Sequence, residues 1–210
     1  MRSVIQAPIF AATVFVAGVL AFAFEAKADR RSVDALGQNL PQPGTAFDDV
    51  RAIKLPDGQK LVCDSDAEKP KLDQPKFMDP PSNHGPVRVR RCAVFAPGAG
   101  DVWHLGQIPS VAGPARLWMI FVEQGIGGRF RLAQFSLWAK LDGWDKTATT
   151  LTGLQGPSIA GTDRFLSWQD DQTETTMFID EKNPDEFAVS VGDVRLRRLL
   201  KSPGTNYRSE

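Results

Sequence analysis

Two histidines, His84 and His104, are the side chains available to act as a general base for a serine or cysteine nucleophile near neutral pH. Neither stands in a pattern that would give it that work. No serine occupies a Gly-x-Ser-x-Gly elbow, His84 lies in the turn-like SNHGP, and His104 follows Trp103 at the start of a strand-like run. Cys63 and Cys92 could join the histidines around a metal, but the close ligand pairs of zinc motifs are absent. A disulfide is the expectation for that pair, and no metal or cofactor is expected. Gly125 to Gly128, GIGG, lacks the last glycine of a dinucleotide loop and precedes a strand rather than a helix, so it reads as a hairpin turn. Asp142, Asp145, Asp163, Asp170, Asp171 and Glu174 could supply paired carboxylates for glycoside hydrolysis, or oxygens for calcium. Their turn-like neighbours favour ordinary solvated hairpin residues.

Two residue types point to binding instead. Arg88 and Arg90 alternate with Val87 and Val89, and Arg195 and Arg197 alternate with Val194 and Leu196. If those runs pair as strands, four guanidiniums form one patch suited to phosphate or carboxylate, as on lipid head groups, lipopolysaccharide or an acidic protein. The competing reading is a solvated sheet face with its charges paired locally. Of five tryptophans, Trp144 sits in LDGWDK between Asp142 and Asp145, where an exposed turn would offer a flat apolar face to a sugar ring or a protein. Alternatively it folds back as a lid over one end of the domain.

The compartment follows from the first 28 residues. Arg2, the apolar run Pro8 to Phe24 and Ala26-Lys27-Ala28 have the three parts of a secretory signal. An uncleaved anchor is the competing reading, with the apolar run near the lower length limit for a span. Cleavage after Ala28 leaves no permanent membrane span, and no cysteine follows the run to carry a lipid. The later strands lack a regular lipid-facing alternation and the sequence ends on Glu210, which argues against an outer-membrane barrel. The expected location is periplasmic or extracellular, where an even cysteine count is read as one disulfide, Cys63 to Cys92. Lys and Arg equal Asp and Glu at 25 each, and loss of Arg2, Lys27 and Glu25 shifts the balance by one negative unit. No nucleic-acid partner is expected from such a balance.

The elements that must position these residues are mostly strands. Residues 29–50 read as an irregular N-terminal arm with one helical turn at Ser32 to Leu36. Residues 51–202 form the β domain, with a proline-rich excursion over 64–91 closed by the disulfide, and 203–210 form a tail. Lys60 to Cys63 and Val87 to Ala96 are strand-like, and Arg116 to Glu123 reads as a central strand buried on both faces. Phe130 to Leu141 completes a long hairpin with it. There Ala133, Phe135, Leu137, Ala139 and Leu141 line one face, while Gln134, Ser136 and Lys140 mark the other. Further strands are expected over 147–154, 164–170, 173–180 and 186–191, with 193–200 fitting either a strand or a helix face. No repeat of 20 to 50 residues is present. The expected fold is mainly β, a single antiparallel barrel or a two-sheet sandwich.

These readings together predict an exported, non-catalytic binding or interaction protein, whose partner is an envelope component or another protein. A barrel carrying a small apolar ligand near Phe135, Trp138 and Phe178 is the first alternative. A secreted carboxylate-dependent hydrolase is the second.

Overall fold

The computed structural model describes residues 30–56, 58–73, 87–125 and 128–200. The signal segment, residues 74–86 of the proline-rich excursion with His84, and the tail lie outside the described residues.

The protein is mainly β, and the strands of the described residues form one 11-stranded sheet. They are β1 (Lys60–Cys63), β2 (Lys71–Leu72), β3 (Val89–Pro97), β4 (Val102–Leu105), β5 (Gln107–Ser110), β6 (Gly113–Glu123), β7 (Phe130–Lys140), β8 (Ala160–Thr162), β9 (Phe165–Gln169), β10 (Thr173–Ile179) and β11 (Glu186–Asp193). The spatial order is β2-β4-β3-β6-β7-β11-β10-β9-β8, with β1 on β3 and β5 on β6. Among the described residues this sheet is not closed into the barrel expected from the sequence, and the expected second sheet of a sandwich is not seen. The sheet keeps two ends, β2 and β8, and helices cover one face where a sandwich would place a second sheet.

Those helices come from segments without strong helical signals. The arm contributes α1 (Arg30–Leu36) and α2 (Phe47–Arg51), and Val33, Leu36, Leu40, Phe47 and Val50 are buried in the main core. A segment expected to be an irregular arm is therefore part of the core's covering layer. Residues 147–154, expected as a strand for their threonines, belong to α3 (Trp144–Gln155). Two of those threonines turn their hydroxyls back onto the helix: Thr147 Oγ1 donates to the Gly143 carbonyl at 2.8 Å and Thr150 Oγ1 to that of Lys146 at 2.9 Å. Thr147 and Leu151, four apart, are the buried face. Gly156, with φ of +82°, ends the helix in a conformation suited to glycine, and its carbonyl accepts the indole N–H of the buried Trp168 at 3.0 Å.

The ambiguous last run is helix α4 (Val194–Leu200). Asp193 decides it, because Oδ1 accepts the backbone N–H of Arg195 at 2.8 Å and of Leu196 at 2.9 Å, capping the first turn.

The β6–β7 hairpin forms as expected, with two corrections to its faces: Leu141, expected on the core face, is exposed just past the end of β7, and Ala133 leaves that face. Ile120 pairs with Gln134 but Phe121 pairs with Leu132, so Ala133 is the extra residue of a bulge. Phe135, Leu137 and Ala139 keep the core face, whereas Ala133 joins Val122, Leu196 and Leu200 in a small cluster beneath α4. Nor is β6 buried on both faces: Ala115, Leu117, Met119 and Phe121 are buried, while Arg116, Trp118 and Ile120 are half-buried.

Cys63 and Cys92 are directly opposite each other on β1 and β3 and form a disulfide, both sulfurs being in the core. The bond ties down both ends of the excursion and indicates a compartment where thiols oxidise. Among the described residues no helix is long and apolar enough to cross a membrane.

Candidate functional site

Among the described residues, the face of the sheet away from α1, α2 and α3 is covered only at its margins. At one margin Leu196 and Leu200 of α4 pack on Val122 and Ala133. At the other, Val62, Ala93 and Phe95 are joined by Leu72, Trp103, Leu105 and Trp118. Between these clusters lies a trough of about 690 Å³.

Strand register explains the trough. Because successive residues point to opposite faces, residues paired across strands line up in rows on one face. Trp118, Ser136, Ser190, Thr176 and Ser167 are consecutive partners across β6, β7, β11, β10 and β9. Apart from the tryptophan that ends it, this row consists of small hydroxyl side chains. One flanking row holds Arg116, Trp138, Ala188, Phe178 and Phe165; the other holds Arg91, Ile120, Gln134, Gly192, Glu174 and Gln169. Short residues between long ones make a depression, and here its floor is polar.

The floor is internally bonded. Ser136 Oγ and Ser190 Oγ lie 2.7 Å apart, and the Gln134 amide donates to Ser136 Oγ at 3.2 Å. On the wall, Trp138 and Phe178 meet edge to face with centroids 5.7 Å apart. Three arginines line the trough, each beside a carboxylate. Arg116 donates to Glu186 Oε2 at 2.5 Å, and the Asn183 amide donates to the same oxygen at 2.7 Å. Arg197 Nη1 is 2.7 Å from Glu174, and Arg91 Nε is 3.8 Å from Asp64. The last contact is too long for a hydrogen bond, and burial raises the Asp64 carboxyl above its ordinary range, an effect only partly opposed by Arg91.

Gly192 completes the arrangement. A Cβ there would lie 2.3 Å from Arg197 Cδ, so the absence of a side chain lets Arg197 cross the strand from α4 and reach Glu174.

The site residues expected from sequence are distributed differently. Arg195 and Arg197 stand on a helix, and β3 pairs with β1, β4 and β6, so the paired-strand patch of four guanidiniums is not built. Arg88 pairs with Glu123, and both Arg88 and Arg90 stack on the Phe130 ring. Arg195 faces Asp193 at 3.9 Å, and only Arg197 of the four lines the trough. Trp144 is not an exposed turn residue: it opens α3, half-buried, with its ring 5.4 Å from that of Phe187. Phe135 lies in the core face while Trp138 and Phe178 line the trough, so the three do not share a cavity. Asp170 caps its own hairpin through the N–H groups of Gln172 and Thr173, and Glu174 holds Arg197. Trough residues outside the sequence-derived set include Trp118, Gln134, Ser136, Thr176 and Ser190. Their available signal was the polar alternation of Gln134 and Ser136 along β7.

A second recess of about 370 Å³ lies between the arm and the sheet, lined by Leu40, Val50, Ile53, Leu117 and Met119 among others. Hydroxyl and guanidinium groups converge on the trough and not on this recess, which makes the trough the better candidate for specific recognition. No protein-family model matches the chain, and neither a curated protein nor a solved structure matches it.

Proposed function

We propose that the protein is an exported, non-catalytic binding protein whose ligand lies in the trough across the uncovered face of its sheet. The observation that carries the reading is a row of Ser136, Ser190 and Thr176 between aromatic and charged side chains, in a depression of about 690 Å³. A volume of that size is in the range of small-molecule sites, and aromatic walls with a few placed polar groups are their usual lining. Export is supported by the disulfide together with the tripartite N-terminal segment. A binding role is favoured over hydrolysis because the two carboxylates that line the trough, Glu186 and Asp180, are held by Arg116 and by the backbone N–H of Lys182 and belong to its frame.

The test is a thermal-shift screen of a chemically diverse small-molecule set against the wild type and Ser136→Trp, which fills the trough from its floor. Ligands that raise the melting temperature of the wild type and lose that effect in the variant are the expected result. A screen without such ligands would remove the reading.

A further inference from the structure

We infer that the trough takes a neutral oligosaccharide, lying across the strands along the hydroxyl row. This rests on the binding reading above and names the chemistry of its ligand. Three observations converge on it.

Charge comes first. Arg116, Arg197 and Arg91 are already faced by Glu186, Glu174 and Asp64 at 2.5, 2.7 and 3.8 Å. An anionic ligand would have to displace or approach those carboxylates, whereas an uncharged one leaves every pair intact. The floor comes second. An apolar ligand would strip water from the half-buried Ser136, Thr176 and Gln134 without replacing its hydrogen bonds, a cost for each group left unmatched. Sugar hydroxyls both donate and accept, as do serine, threonine and glutamine side chains, so each can satisfy the other. The wall is third. A pyranose ring also presents a face of C–H bonds, and Trp118, Trp138 and Phe178 offer aromatic surface beside the polar row.

Dimensions agree. Neighbouring strands are about 4.8 Å apart, so the row from β6 to β10 runs roughly 14 Å, and flanking rows two residues away stand about 7 Å to each side. The space is long enough for more than one sugar ring and one chain wide. Trp144, the residue whose sequence context suggested a sugar platform, packs on Phe187 and takes no part.

The experiment is isothermal titration calorimetry of the exported, disulfide-bonded protein with cellotetraose, maltotetraose and chitotetraose. Tetragalacturonate and dodecanoate serve as anionic and amphiphilic arms. Binding of at least one neutral tetrasaccharide is expected, weakened about tenfold or more by Trp138→Ala through loss of the stacking surface. Ser136→Ala removes a hydroxyl with no change of shape, and Trp138→Phe retains a ring; a several-fold weakening by the former and a smaller one by the latter cover the case in which Trp138→Ala does not fold. Failure of all three neutral sugars to bind overturns the inference, and so does neutral-sugar binding that these variants leave unchanged. If tetragalacturonate or dodecanoate alone binds, and Ser136→Trp abolishes it, the sugar assignment falls while the trough stands as the binding site. If no arm binds and the thermal screen is also negative, both readings fall.

Discussion

Replacing Gly192 with alanine isolates the device that holds Arg197 over the sheet. The added Cβ would sit 2.3 Å from Arg197 Cδ, 3.0 Å from its Cγ and 3.0 Å from the Ala133 carbonyl oxygen. A separation of 2.3 Å is far inside van der Waals contact, so the arginine must leave. Overpacking of this kind costs about 1–3 kcal/mol when the surroundings cannot yield. Here the flexible side chain can yield, at the expense of its 2.7 Å pair with Glu174, both groups being about four-fifths buried at 17% and 24% exposure. Such a pair is worth about 1 kcal/mol, and alanine in a strand regains roughly 0.5–1 kcal/mol over glycine. The part of the effect that depends on Arg197 is the lost pair, about 1 kcal/mol, while the alanine gain and the strain at the Ala133 carbonyl are independent of Arg197. In an Arg197→Ala background that pair-dependent loss should vanish. Urea unfolding of the wild type, both single variants and the double variant gives the coupling directly, with an expected value of about 1 kcal/mol. A coupling under about 0.5 kcal/mol would refute the claim that Gly192 exists to admit Arg197.

Reduction of the Cys63–Cys92 bond, which spans a sequence separation of 29, should lower unfolding free energy by about 3.6 kcal/mol in the chain-entropy picture, seen by denaturation with and without a phosphine reductant. A loss below about 1 kcal/mol would speak against it. Because burial raises the Asp64 carboxyl above 3.8, its protonated form suits the fold, and the stability it contributes at low pH is lost as pH rises through the elevated value. Asp64→Asn should therefore stabilise the protein at pH 7, and the advantage should shrink toward pH 3; equal melting temperatures at pH 7 would contradict this. Mass spectrometry of the exported protein should place its first residue at Asp29, and a retained Met1 to Ala28 segment would contradict the cleavage reading.

Much of the sheet was legible because its strands alternate or are enriched in β-formers: β6, β7, β9, β10 and β11 fall where the residues place them. Cys63 and Cys92, an even pair with strand-like flanks, gave the disulfide. The helical layer was hidden for local reasons. Threonine favours strands in isolation, yet Thr147 and Thr150 are accommodated in α3 by bonding back to carbonyls four residues earlier. The arm looked irregular because its buried residues, Val33, Leu36, Leu40, Phe47 and Val50, are divided between two short helices and a turn. Without that layer the same strands suggested closure into a barrel. The trough was harder still to see. Ser136, Thr176 and Ser190 are commonplace in strands and come from three separate runs, and only the register, including the bulge at Ala133, sets them side by side. The alternating arginines are the stronger pattern along the sequence, yet Arg195 lies beside Asp193 and Arg88 beside Glu123.

The five indole N–H resonances in a proton–nitrogen correlation spectrum test the central claim most directly. On titration with the neutral tetrasaccharides, tetragalacturonate and dodecanoate in turn, Trp118 and Trp138 should shift, while Trp144 and Trp168, on the helix-covered side, stay in place. Shifts confined to Trp144 and Trp168, or no indole shift with any of the probes, would contradict a binding site on the uncovered face.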